Sequence, residues 1–191
     1  MCQHFLFQGY MIELLFTTSD YKFSKLARWA LGSDCSHFAI AMDQGIVFHS
    51  NFSGVHIEPY SVFMAKNKVI HSLTFKFPLR ISQEERVYQN LIKLDYGKGY
   101  DFGAMFFLGL NLIAKKIFNL PLSKKNLWQD KDLLICTELY TGLLGLELGT
   151  ITFPKIEKLT MTKPHELFLE LSRLPFLTTS EPKPQILADR V

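Results

Sequence analysis

The chain has 191 residues, of which 48% are hydrophobic and 20% are charged, and it contains 17 Phe. This length and composition are typical of one globular domain with its own core, and they exclude a mainly disordered chain. The formal charge of +3 comes without dense runs of Lys or Arg. We therefore expect no nucleic acid as a partner.

The first half of the sequence alternates strand patterns with short helical ones. The apolar run MIELLFT at 11–17 predicts a buried strand, and SDYKFSKLARWAL predicts a helix after it. HFAIAM, GIVFHS and GVHIEP are separated by turn-forming residues, and they predict an antiparallel meander. Pro59 can begin a helical turn, and KVIHSLTFKF adds a long strand.

The second half is mainly helical by pattern. Ser82 stands three residues before Glu85, which predicts a capping box at the start of a helix. FGAMFFLGLNLIAKKIF predicts an apolar helix whose uninterrupted apolar part is shorter than the roughly 20 residues needed to span a bilayer. We interpret it as a buried helix, with contact at a membrane surface as the alternative. Two further helices are predicted, around Cys136 and in TKPHELFLELSRL.

These elements predict an α+β fold in which an antiparallel sheet packs against helices. We interpret residues 1–10 as an N-terminal extension, residues 11–178 as a single catalytic domain and residues 179–191 as a loose tail. The opening MCQHFLFQGYM lacks the three parts of a secretory signal, which are a basic region, a sustained apolar region and a small-residue cleavage site. We therefore expect a cytoplasmic protein.

The three cysteines, Cys2, Cys35 and Cys136, are odd in number and lack paired spacing. We therefore expect free thiols in a reducing compartment. Cys136 follows three aliphatic residues where a helix could begin, and a helix start favours the thiolate, the nucleophilic form of cysteine. Leu139, Tyr140 and Leu143 would share its inward face.

A histidine that could accept the Cys136 proton lies in SDCSHFAIAMD. Because side chains alternate along a strand, His37 shares a face with two small residues, Ala39 and Ala41. This face has room for another side chain or a substrate. On the next strand of the meander, His49 could reach His37 and orient its ring by a hydrogen bond, as the third member of a nucleophile-base-orienter triad does.

At this point the sequence resembles a known family. LARWALGSDCSHFAIA, GIVFHSNFSGVHIEPY, GYDF and LLICTELY are similar, in this order, to motifs of circularly permuted NlpC-like papain-fold cysteine hydrolases. That group includes YiiX-like bacterial proteins and, more distantly, the relatives of lecithin retinol acyltransferase. The match spans roughly residues 11–150. It implies a permuted papain-like fold in which the histidine precedes the cysteine along the chain.

The resemblance also implies a role for four residues. Cys136 would be the nucleophile, His37 the base and His49 the orienting residue, although YiiX-like members commonly carry Glu at this last position. Tyr100 would line the cleft and help the backbone N–H of Cys136 to stabilise an oxyanion. This chemistry requires no metal and no organic cofactor.

We therefore expect a cysteine hydrolase that cleaves an amide through an acyl-enzyme, with a peptide, a peptidoglycan stem peptide or an isopeptide as substrate. An acyl-ester substrate, cleaved or transferred on the same scaffold, is the alternative within the enzymes. A catalytically silent binding or structural module is the alternative outside them. Peripheral contact with a membrane stays open, and the sequence does not indicate an oligomeric state.

Other candidate residues receive plainer interpretations. Cys35 is interpreted as an incidental turn thiol, because no helix start supports it. Three histidines are interpreted as strand or surface residues: His56, His71 and His165. A zinc site is disfavoured because no paired Cys-x-x-Cys or His-x-x-x-His spacing supports it. Its donors would be Cys35, His37, His49 and Cys136.

Overall fold

A computed structural model gives the fold of most of the domain. It describes residues 11–42, 45–51, 54–94, 99–119, 121, 133–134, 136–143, 147–148, 151–152 and 162–180. Its centre is a six-stranded antiparallel sheet in the order β10-β5-β1-β2-β3-β4. The strands of this sheet are β1 (Ile12–Thr18), β2 (His37–Met42), β3 (Ile46–Asn51), β4 (Gly54–Pro59), β5 (Lys68–Phe75) and β10 (Leu177–Ser180).

Two short ladders complete the strands. In the first, β6 (Gly99–Tyr100) pairs in parallel with β7 (Leu133–Leu134). In the second, β8 (Glu147–Leu148) pairs antiparallel with β9 (Ile151–Thr152). The β6–β7 ladder lies beside β4, at the edge of the main sheet.

The described residues form six helical segments around the sheet. The five α-helices are α1 (Lys22–Leu31), α2 (Tyr60–Lys66), α3 (Ile81–Leu94), α4 (Phe102–Phe118) and α5 (Pro164–Ser172). The sixth is a 3₁₀ helix, Cys136–Leu143, which we call the cysteine helix. It packs against β2, β3 and α3.

The two faces of the sheet bury separate apolar clusters. All seven residues of β1 are buried, as expected of a central strand covered on both sides. The larger cluster contains Phe38 and Phe48, together with inward residues of α3, α5 and the cysteine helix. The smaller cluster places Ala39 and Ala41 against Phe63 of α2. Alternate residues of β2 therefore serve opposite faces.

The predicted meander and helices are present, and three details of the prediction are wrong. The helix α3 begins at Ile81, so Ser82 is not its cap; instead the backbone N–H of Arg80 donates to Oε1 of Gln83, at 2.8 Å. The predicted tail begins too early. Thr179 and Ser180 belong to β10, which is paired with β5. The rest of the tail and the extension 1–10 lie outside the described residues.

The third difference concerns α4, which is not the buried helix that its apolarity predicts. Leu112 is buried, but Phe106 is 58% exposed and Phe118 is 69% exposed. The neighbouring α1 likewise exposes Leu26 and Trp29. No helix among the described residues is long and apolar enough to cross a membrane.

Candidate active site

The β2–β3 hairpin brings His37 and His49 together. Ala39 stands opposite His49 in the antiparallel register, so His37 and His49 are diagonal neighbours on one face of the sheet. Their ring centroids are 5.6 Å apart, and the planes meet edge to face at 84°. The predicted approach of the two histidines is present.

Small side chains on β2 make room above these rings for α2. The ring of Phe63 lies 5.1 Å from that of His49 and 6.3 Å from that of His37, between centroids. His49 is 5% exposed, whereas His37, at the start of β2, is partly exposed. His37 is therefore the member of the pair that a substrate can approach.

Glu58 on β4 is a charged residue beside the histidine pair that the sequence analysis missed. Its Oε1 lies 3.0 Å from Nε2 of His49, although the ring nitrogen is not aligned for a good hydrogen bond. Its Oε2 accepts a hydrogen bond from Nζ of Lys66, also at 3.0 Å. The side chain of Glu58 is only 16% exposed. A carboxylate thus stands behind the second histidine.

Burial keeps both imidazoles neutral. Burial lowers the pKa of His37 from 6.5 to about 3, and the charge of His49 adds to this effect. Burial also lowers the pKa of His49, to about 4; Glu58 opposes this shift, while His56 and Lys66 add to it. At neutral pH each ring is therefore uncharged, and one of its two nitrogens carries no proton.

Cys136 is the first residue of the cysteine helix and is 7% exposed. Leu139, Tyr140 and Leu143 are fully buried, as the helical spacing predicts. They belong to the larger cluster, whereas the two imidazoles lie against Phe63 on the other face. A meeting between the Cys136 thiol and the histidines must therefore take place beyond the end of the sheet, where β2 begins.

Cys35 links Cys136 to this end of the sheet. Cys35 is completely buried, and burial is the main cause that raises the pKa of its thiol to about 11. Ser33 lowers this pKa by a hydrogen bond, whereas negative charge on Asp34 and on Cys136 raises it. Cys136 therefore lies within electrostatic range of Cys35, which is two residues before His37. The direct approach of Cys136 to His37 stays a prediction.

For Tyr100, the structure describes only the position of the backbone. It pairs with Leu134 in the parallel β6–β7 ladder, and Leu134 is two residues before Cys136. This register brings the Tyr100 backbone to the segment that leads into the cysteine helix. The side chain of Tyr100 lies outside the described part of the structure, so its role in the cleft stays a prediction.

The neutral state of His49 predicts acid sensitivity. His49 is faced by His37 from β2, by His56 and Glu58 from β4 and by Lys66 from α2. In the unfolded chain this imidazole binds a proton near pH 6.5, but in the folded chain only near pH 4. The free energy of unfolding should therefore fall as the pH falls through this window, by at most about 1.4 kcal/mol per pH unit from this residue.

His49→Gln should flatten that slope when unfolding by urea is measured at several pH values. In the unmodified protein, the NMR signals of the His49 ring should titrate with a midpoint near 4. A midpoint near 6.5, or an unchanged slope in the variant, would show that the ring is not held neutral by its surroundings.

Comparisons with known proteins support the fold. No family model matches the sequence, and no curated protein matches it significantly. The structure is similar to the crystal structure of the metalloprotein YiiX from Escherichia coli O157:H7, with a TM-score of 0.51 and 18% sequence identity, over 91% of this chain and 95% of that chain. At this identity the likeness concerns the fold alone. The expected resemblance is confirmed at that level: the chain has a YiiX-like α+β fold.

Proposed function

We propose that the chain is a cysteine hydrolase in which the Cys136 thiol attacks a carbonyl carbon and His37 accepts its proton. The observation that carries this proposal is the contact between His37 and His49 on β2 and β3, the two strands against which the cysteine helix packs. Cys136 begins that helix and His37 begins β2. Both groups therefore stand at element starts, where a side chain can project beyond the sheet.

The reaction follows from these groups. The neutral His37 ring takes the thiol proton as sulfur bonds to the carbonyl carbon of an amide, and the carbonyl oxygen becomes an oxyanion. In this mechanism the backbone N–H of Cys136, at the N-terminal end of its helix, donates to that oxyanion. His37 then protonates the leaving amine, the C–N bond breaks and a thioester remains. Water, deprotonated by His37, cleaves the thioester and restores the thiol.

In this proposal His49 and Glu58 hold the His37 ring in position. The rings of His37 and His49 meet edge to face, and the His49 ring in turn lies against the Glu58 carboxylate. A carboxylate behind an imidazole favours the tautomer and orientation that a proton acceptor needs. Glu58 thus supplies the charge that a single glutamate at the His49 position would supply in YiiX-like proteins.

An acyl ester of a lipid is the second candidate substrate, because α1 and α4 expose an apolar and basic surface. This surface includes Leu26 and Trp29 of α1 and Phe106 of α4. It also includes two residues at the end of α4, Ile117 (60% exposed) and Phe118 (69% exposed). Lys115 and Lys116 in the last turn of α4 are exposed as well. Nζ of Lys116 lies 4.4 Å from the centroid of the Trp29 ring and donates to the Trp29 carbonyl oxygen at 2.8 Å. Aromatic and basic side chains together favour an anionic membrane surface.

Alkylation with iodoacetamide tests the nucleophile. At pH 7 the folded protein should be modified at Cys136, since the proposal places its thiol at a helix start and within reach of the His37 ring as proton acceptor. Cys35, which is 0% exposed, is the internal control and should stay unmodified. His37→Gln should slow the modification of Cys136 at least about tenfold. Peptide mapping by mass spectrometry measures all three cysteines in one experiment.

The same proteins identify the substrate class. Peptide amides, muropeptides and acyl esters are offered to the unmodified chain and to Cys136→Ala, and hydrolysis of one class should disappear in the variant. If Cys136 resists alkylation in the folded chain and no substrate is cleaved, the protein is a binding module and the hydrolase proposal is wrong.

Glu58→Gln tests the positioning of His37. The variant removes the carboxylate charge but keeps the shape of the side chain, and the alkylation rate of Cys136 should fall about tenfold or more, with a changed pH profile. Lys66→Ala is the matched control, because Lys66 contacts the other Glu58 oxygen and is 52% exposed. Equal alkylation rates of Cys136 in Glu58→Gln and Lys66→Ala would show that Glu58 does not position His37.

Sedimentation with vesicles tests the membrane surface. Vesicles that contain phosphatidylserine should bind the chain, and Ile117→Ser with Phe118→Ser should weaken binding about tenfold or more. The matched control is Val62→Ser with Phe77→Ser, two apolar residues that are 40% and 42% exposed on other elements. If both double variants bind equally well, the α1–α4 surface is not the contact.

A further inference from the structure

A second group of chemically active side chains lies at the same end of the sheet, outside the histidine pair. It combines Asp34 and Cys35, from the turn before β2, with His165 at the start of α5. One donor atom from each of these residues lies within 4.8 Å of the other two. Among the described residues, this is the one group of three or more His, Cys, Asp or Glu donors that come close enough to share a cation.

We propose that Asp34, Cys35 and His165 bind one divalent transition-metal ion, with zinc as the best fit. A thiolate, an imidazole and a carboxylate are the three ligand types that zinc accepts, and a soft sulfur ligand disfavours magnesium and calcium. Zinc lies about 2.0 to 2.3 Å from such ligands, so a contraction of the group by about an ångström would enclose the ion.

The imidazole of His165 has a ring nitrogen without a hydrogen-bond partner. Its Nδ1 is shielded from solvent and makes no good hydrogen bond, although Oδ1 of Asp34 lies only 3.4 Å away. A buried polar atom without a partner costs free energy, and a cation between the nitrogen and the carboxylate would satisfy both. This nitrogen supports a ligand at the site, which an ion can reach because the His165 side chain is 38% exposed.

His71 of β5 supports the carboxylate from behind. Its Nε2 lies 3.1 Å from Oδ2 of Asp34, which leaves Oδ1 for the ion and for His165. The His71 ring is stacked on Phe168 of α5, with centroids 4.3 Å apart and planes at 12°. Metal ligands are commonly oriented by such second hydrogen bonds.

Turn geometry fixes the sulfur ligand. The Ser33 hydroxyl accepts from the Cys35 backbone N–H at 3.2 Å and lies 3.6 Å from the Cys35 sulfur. The Asp34 side chain is 53% exposed, so the group is open to solvent at this ligand. Three protein ligands with one open side leave a fourth coordination position for water. His71 lies on strand β5 and His165 is partly exposed, as predicted, and both also lie beside Asp34.

Metal titration of the full chain tests this site. The protein, freed of metal by a chelator, is titrated with Zn²⁺ and with Co²⁺, and bound metal is measured by elemental analysis. We expect one ion per chain, with a thiolate-to-cobalt absorption band. Asp34→Asn and His165→Gln should each raise the Kd at least about tenfold, and His71→Gln should raise it about 10- to 100-fold. Cys35→Ser should remove the thiolate band.

Two further variants separate this site from the proposed catalytic group. Cys136→Ser and His49→Gln should leave the metal affinity and the cobalt band unchanged. Loss of binding in these two, with normal binding in His165→Gln, would place the ion at the histidine pair and overturn the assignment. Absence of stoichiometric binding in the folded protein, monitored by circular dichroism, would overturn it as well. Alkylation of Cys136 is independent of either result, so the hydrolase proposal can fail or hold separately.

Discussion

The antiparallel registers that join β1, β2 and β3 control where every polar group of the site lies. Ala39 stands opposite Leu15 on one side and His49 on the other. Because side chains alternate along a strand, a slip of one residue would carry the imidazoles to the face that holds the aromatic core. Burial of Phe38 and Phe48 on that face opposes such a slip, since each large apolar side chain contributes roughly 1.5–3 kcal/mol when buried. The histidine pair is thus fixed by the hydrophobic pattern around it.

Local periodicity explains which features could be predicted from the sequence. The meander follows from short alternating segments and turn formers, and the inward face of the cysteine helix follows from the spacing of Leu139, Tyr140 and Leu143. The approach of His49 to His37 follows because a short hairpin has few registers. The exposure of α4 could not be predicted in this way. The apolar composition of a helix indicates that its burial would be favourable, but not whether other elements of the fold pack over it.

The residues missed by sequence analysis depend on contacts between distant parts of the chain. Glu58 had a weak signal, since His56 and Glu58 alternate on β4 and so share the face of His49. The contact of Asp34 with His71 spans 37 residues, and β5 reaches this place only because it pairs with β1 rather than with β4. The spacing of residues along the sequence does not indicate that β5 pairs with β1.

The position of β10 has a consequence for how the chain is made. Ser180 of β10 bonds to Ser72 of β5 across 108 residues of sequence, through a hydroxyl contact of 2.6 Å. During synthesis, β5 therefore leaves the ribosome long before the strand that covers it, and its free edge is exposed for that interval. A chain truncated before β10 would therefore carry the other five strands of the sheet with β5 as an unpaired edge, the kind of edge at which chains associate.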